Sequence, residues 1–265
     1  MNKGTKRDRR RQYAIRRNLR KASCVVLLVL LVLAYIGIRK QESAGTQEFP
    51  VPALIQTEGR DPGNTAADFD LDMVPAYSGR AYVDINGDVP FFTQEEMTAE
   101  AFHEYWPLDE LGRCTGAYAC VGPETLPKQE RGDISPVKPT GWNTNRYSDI
   151  DGEMLFNRCH LIGHLLTGQD ANERNLITGT RYMNVEGMLP FEESVVRYVE
   201  GTGHHVIYRV RPYFDGNNLV CAGVLMEARS VEDPRVQFCA FCYNVQPGFE
   251  IDYATGNNRR ANASD

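Results

Sequence analysis

Apolar and polar positions recur with two distinct periods in the second half of the chain, and elements can be placed from that alone. In "LPFEESVVRYVEG", Phe191, Val195 and Val199 fall at helical spacing. Pro190 suits a first turn and Gly201 a C-terminal stop, so a helix is predicted over 190–201. "HVIYRVRPY" switches to period two, with Val206, Tyr208 and Val210 facing one way and Ile207, Arg209 and Arg211 the other, the pattern of a half-buried strand. A further strand is expected in "NNLVCAGVLMEA" after the Asn217-Asn218 turn, and two more around Pro247-Gly248 in "FCYNVQPGFEIDY". Upstream the signals thin out. Asn86-Gly87 in "YVDINGDVPFF" marks a hairpin candidate, and Thr93 with Glu96 matches a capping box that would open a short helix in "TQEEMTAEAFHEYW". Residues 112–151 are turn-rich and read as a long surface excursion, pinned by a disulfide. Together these predict an α+β body with a central antiparallel sheet.

The N-terminal stretch obeys neither period. Residues 1–21 carry ten Lys and Arg against one acid, Asp8, and the 17 residues that follow, "ASCVVLLVLLVLAYIGI" (22–38), carry no charge. As a helix this segment spans roughly 25 Å, the short end of what crosses a bilayer, and the basic flank predicts a cytoplasmic N-terminus with the body outside. A cleaved signal peptide, cut near "ESAG", is the alternative; the length of the apolar run favours a retained anchor. Residues 39–80, rich in Gly, Pro, Thr and acids, read as a flexible tether, 81–256 as the functional domain and 257–265 as a disordered tail.

Charge changes the picture. Beyond the basic block, residues 22–265 hold 19 basic and 34 acidic groups, a sum of −15. Such a body is a poor general polyanion binder, so any contact with nucleic acid would have to be local, weak and salt-dependent. With Cys24 in the apolar segment, Cys114, Cys120, Cys159, Cys221, Cys239 and Cys242 make an even six, which in an oxidising compartment could close up to three disulfides. "CTGAYAC" and "CAFC" suggest local pairs and would leave Cys159 to Cys221. A zinc site on Cys239 and Cys242 competes, but no second such motif completes it.

"NRCHLIGHLL" (157–166) concentrates the chemistry. His160 and His164 at i, i+4 would suit a helical metal pair, but no glutamate lies between them and Gly163 weakens a helix there. Cys159 and His160 are neighbours, and neighbouring side chains on a strand point apart, so they do not form a nucleophilic couple. One working histidine remains. Asn172, Asn175 and Asn184 follow it, with Arg174 and Arg181 interspersed. Histidine as proton acceptor plus an amide oxygen for a hard cation is a combination that phosphodiester hydrolysis can use.

The run "FNRCHLIGHLLTGQDANERNLITGTRYMNVEGMLPFE" (156–192), with "PTGWN" upstream and "YNVQPGFEIDYATG" at the end, resembles the bacterial DNA/RNA non-specific endonucleases, in particular their competence-type DNA-entry and streptodornase branch. The resemblance extends from about Tyr82 to Gly256 and implies a ββα-metal (His-Me finger) core. It implies His160 as general base, Asn184 as direct Mg²⁺ ligand (Mn²⁺ substituting), and a glutamate acting on metal-bound water. Glu192 and Glu193 both qualify, and the helix pattern favours Glu193. Arg158 matches the signature arginine, with Arg181 and Asn175 as weaker candidates for the substrate phosphate. Two residues depart from the family pattern: Asn157 replaces an aspartate and Cys159 a small residue.

The expected activity is sequence-non-specific hydrolysis of DNA, and of RNA, leaving 5′-phosphates, at the outer cell surface with no small-molecule cofactor. Activity is expected to fall in acid near the ordinary histidine value of about 6.5. Two rivals share the sequence: a surface module that holds DNA without cutting it, which would have no need of both His160 and Asn184, and a secreted toxin, which the anchor-like segment disfavours.

Overall fold

The computed structural model describes residues 69–262. The basic block, the apolar segment 22–38 and most of the tether lie outside the described residues, among which no helix is long and apolar enough to cross a membrane. The described part is built from ten strands, β1 (Tyr82–Asp84), β2 (Phe102–Tyr105), β3 (Ala117–Val121), β4 (Phe156–His160), β5 (Leu176–Thr180), β6 (Val206–Tyr213), β7 (Gly223–Ser230), β8 (Gln237–Tyr243), β9 (Phe249–Ile251) and β10 (Asn258–Arg260). One helical turn, α1 (His164–Thr167), follows β4, and one long helix, α2 (Leu189–Thr202), follows a π-helical turn at Met183–Met188.

Six strands form the antiparallel central sheet in the order β1-β8-β7-β6-β3-β2, while β4-β5 and β9-β10 are separate antiparallel pairs. One face of the sheet carries Val206, Tyr208, Val210, Val224, Met226, Ala228 and Ala240, all buried in one cluster with Phe191, Val195 and Val199 of α2. The predicted helix thus seats its apolar stripe on the sheet, and αL Gly203 rather than Gly201 ends it. β4, the residues just after it and β5 supply Cys159, Leu161, Ile162 and Ile177 to the same core.

The opposite face is also covered, so β6 is not half-buried as its alternation suggested. Segments on either side of β1 lie over it, and their Phe69, Ile85 and Phe91 join Leu225, Cys239 and Phe241. Arg209 is buried here because Glu227, fully buried, accepts from its Nε at 2.9 Å and its Nη2 at 3.0 Å, and from Arg211 at 3.2 Å. The same carboxylate takes the Phe91 backbone N–H at 2.9 Å, and Arg209 reaches Glu96 at 2.7 Å. This engagement explains two departures from the sequence reading. Asn86, Gly87 and Asp88 all adopt positive φ in a 3-10 turn, yet Phe91 bonds into the charge cluster through its N–H and its carbonyl instead of returning in a hairpin strand. Glu96 caps only the single turn Gln94–Glu96, and the expected helix gives way to β2, which pairs with β3. β3 itself is an inner strand within what read as a surface excursion, and β10 pairs with β9 within the expected tail.

Glu227→Ala leaves the buried guanidinium of Arg209 and the half-buried one of Arg211 without this carboxylate. The expected cost is about 3–5 kcal/mol in urea unfolding; a loss below about 1 kcal/mol would mean that water solvates the cluster.

Candidate active site

His160 closes β4, whose register with β5 pairs Arg158 with Thr178, Cys159 with Ile177 and His160 with Leu176. Alternation along the strand divides the signature between two sides. Arg158 and His160 face residues 131–142, whereas Cys159 faces the π-turn that carries Asn184.

The imidazole of His160 is buried, with Nε2 3.0 Å from the carbonyl oxygen of Asp170. A carbonyl only accepts, so Nε2 carries the proton and Nδ1 keeps the lone pair. Arg131 Nη2 stands 3.4 Å from that nitrogen. Burial, opposed by the Asp170 carbonyl and reinforced by the charges of Arg131 and His164, lowers the His160 pKa to about 4. Asp170 organises this corner from both ends. Its backbone orients His160, while its carboxylate accepts from Gly132 N at 2.9 Å, fixing the loop next to Arg131. His164 Nδ1 lies 3.0 Å from the same carboxylate, a charge contact without hydrogen-bond alignment. His164 therefore supports Asp170 rather than presenting a second reactive nitrogen.

Glu192 enters from the first turn of α2. Gly163 N donates to its Oε1 at 2.8 Å, and a Cβ on Gly163 would sit only 2.6 Å from that oxygen, so glycine is needed for the approach. Burial, only partly offset by this bond and by Arg131, raises Glu192 to about 8. Arg131 is thus close enough to act on both His160 and Glu192. Asn184 stands in the π-turn, a widened helical turn of the kind often found at functional sites, and its Oδ1 accepts from the Cys159 thiol at 2.9 Å.

Several expectations are corrected by these positions. Glu193 is exposed and ion-paired with Arg197 at 3.5 Å; the adjacent Glu192 points inward, because the buried stripe of α2 includes 192 and not 193. Asn175 clamps the Ile162 backbone, accepting at 2.9 Å and donating at 3.0 Å, and its full burial keeps it from a phosphate. Arg181 pairs with Asp151. Arg158 donates to the carbonyls of Ser135 and Val137 and lies 4.2 Å over the Trp142 ring, so it anchors the 131–142 segment. The buried Arg209 and the half-buried Arg211 both engage Glu227.

The cysteine expectation also fails: Cys114, Cys120, Cys159, Cys221, Cys239 and Cys242 are all buried free thiols. Cys239 and Cys242 lie three apart on β8 and enter different cores on opposite faces, which rules out both their bridge and a shared zinc. Cys114 and Cys120 are divided in the same way, Cys114 bonding to the Glu173 and Leu176 carbonyls. Cys159 is turned to Asn184, and Cys221 receives Asn244 Nδ2 at 3.5 Å.

Arg131, Asp170 and Glu192 are the residues that sequence reasoning missed or ranked second. Arg131 and Asp170 lie in irregular loops where no period marks them; Glu192 could have been found from the helix stripe. The hard oxygens on offer to a cation are Asn184 Oδ1 and the Glu192 carboxylate, and among the described residues no group of three His, Cys, Asp or Glu could hold a metal ion. Among the described residues Glu192 has one hydrogen bond, from Gly163, a buried carboxylate that a divalent cation would satisfy.

A family model for DNA/RNA non-specific endonucleases matches residues 93–232, more than half of the chain. Among solved structures, magnesium-bound NucA from Streptococcus agalactiae superposes with a TM-score of 0.57 at 24% identity, covering 66% of this chain and 85% of that one. The zinc-bound Sda1 nuclease superposes with a TM-score of 0.59 at 22% identity, covering 69% and 97%. At these identities the likeness is one of fold.

His160 is expected to titrate by NMR with a midpoint near 4. Because this lies below the unfolded value of about 6.5, neutral His160 contributes stability above pH 6.5 that is lost as pH falls towards 4. The part of the acid limb that His160 sets should accordingly lie well below 6.5. A His160 midpoint at or above 6.5 would contradict the buried, Arg131-flanked geometry.

Proposed function

The chain belongs to the DNA/RNA non-specific endonuclease family and is a nuclease hydrolase; from that premise we propose that it cuts DNA and RNA without sequence preference, using His160 as general base and one Mg²⁺ held by Asn184 and Glu192. The observation that carries this reading is the state of the His160 ring: buried, its Nε2 proton given to Asp170, and a neutral Nδ1 beside Arg131. A base must be unprotonated to work, and a histidine lowered to about 4 is unprotonated throughout the neutral range.

In this mechanism Nδ1 takes a proton from a water aligned with phosphorus. Arg131 approaches the non-bridging phosphate oxygens, and its departure from Nδ1 makes room for that water. Asp170 keeps the ring from turning as it becomes charged, through its carbonyl bond to Nε2. Asn184 and Glu192 offer the cation hard oxygens, which suits Mg²⁺, and Mn²⁺ should substitute. When bound, the ion neutralises charge building on the phosphate and the leaving 3′ oxygen, giving 5′-phosphate ends. Arg131 rather than Arg158, Arg181 or Asn175 is the phosphate group in this reading, and Glu192 replaces Glu193.

The proposed location is the outer face of the cell membrane, with residues 22–38 as anchor and 39–80 as tether. Its support is the ten-to-one basic block ahead of an uncharged 17-residue run. The free thiols remove the cysteine argument for an oxidising compartment without bearing on the anchor.

Plasmid and RNA digestion with Mg²⁺ or with EDTA tests the reading. Cutting is expected only with metal, with His160→Ala, Asn184→Ala and Glu192→Gln each slower by at least about 100-fold, and Glu193→Gln close to wild type. Tight DNA binding without cutting by folded wild type in fresh metal would replace the nuclease with a surface binding module.

A further inference from the structure

The family resemblance puts a small residue where this chain has Cys159, and the structure gives that cysteine a specific contact. Its Sγ lies 2.9 Å from Asn184 Oδ1 and 3.4 Å from Met188 Sδ, so one side chain touches the π-turn at two positions four apart. The thiol is fully buried, and its S–H is the donor of the contact to Asn184. The opposite strand is shaped to admit it. A Cβ on Gly179 would meet Cys159 Cβ and Met183 Cε, each at 2.7 Å.

We infer that Cys159 is a positioning residue for Asn184: its S–H takes one lone pair of the amide oxygen, fixes the rotamer, and leaves the second lone pair for the divalent ion. The inference rests on the proposed metal role of Asn184. Partners that orient a ligand from behind typically change metal affinity about 10–100-fold when removed. A serine keeps a donor at slightly shorter reach, whereas an alanine keeps most of the packing and none of the hydrogen bond.

The test is Mn²⁺ binding by electron paramagnetic resonance in the absence of nucleic acid, on wild type, Cys159→Ala, Cys159→Ser and Asn184→Ala, with thermal melts alongside. Cys159→Ala is expected to bind Mn²⁺ about tenfold or more weakly, and Cys159→Ser within about threefold of wild type. Folded Cys159→Ala that binds like wild type overturns the inference, as does a folded Cys159→Ser as weak as the alanine variant. If Cys159→Ala does not fold, the serine variant decides: binding close to wild type supports the inference, and a tenfold loss overturns it. Undiminished binding by Asn184→Ala, by contrast, would remove the metal role itself, and this inference with it.

Discussion

The seating of α2 on the sheet is the constraint from which the site follows. Phe191, Val195 and Val199 bury against Val206, Tyr208, Val224 and Met226, and this fixes both rotation and height of the helix. Glu192, beside Phe191, must then turn inward to Gly163, and the π-turn leading into the helix must present Asn184 to the back of β4. Because β4 and β5 contribute Cys159 and Ile177 to that same core, the strand bearing His160 cannot shift independently of the helix bearing the oxygens. Catalytic geometry and hydrophobic packing are here one problem, and a cavity under α2 would be felt at the site.

Burial drives the two ionisable groups of the site in opposite directions. It brings His160 down to about 4 and Glu192 up to about 8, so near neutrality both lean towards their uncharged forms while Arg131 stays cationic beside them. Such a site is electropositive locally even though residues 22–265 sum to −15. In the proposed reading this eases the difficulty an acidic body poses for polyanion binding, because a phosphate would meet the Arg131 guanidinium and the cation beside buried groups, where charge interactions are stronger than at the surface. Other arginines hold the protein together, with Arg209 and Arg211 on Glu227 and Arg158 on the loop over His160.

Where one periodic pattern covered a whole element, the sequence was readable. α2 and β6 follow from the 3.6- and two-residue periods, β7 and β8 from the turn residues near them, and the resemblance named His160 and Asn184 as candidates. What escaped had a common cause, contacts between segments distant in the chain. The far sheet face is buried only because segments on either side of β1 fold over it, which no local pattern in β6 reveals. The hairpin signal at Asn86-Gly87 was correct as a turn and wrong as a hairpin, since Glu227, far along the chain, captures Phe91 N. Even cysteine number misled as evidence for disulfides, because pairing depends on which sheet face each thiol occupies.

The central claim is that His160 is the proton acceptor, and chemical rescue tests it most directly. His160→Gly leaves a recess behind Asp170 that free imidazole can enter. The account predicts that this variant cuts plasmid DNA slowly in Mg²⁺ and that added imidazole restores cutting in proportion to its neutral fraction. Cutting by His160→Gly at the wild-type rate, with no response to imidazole, would contradict it.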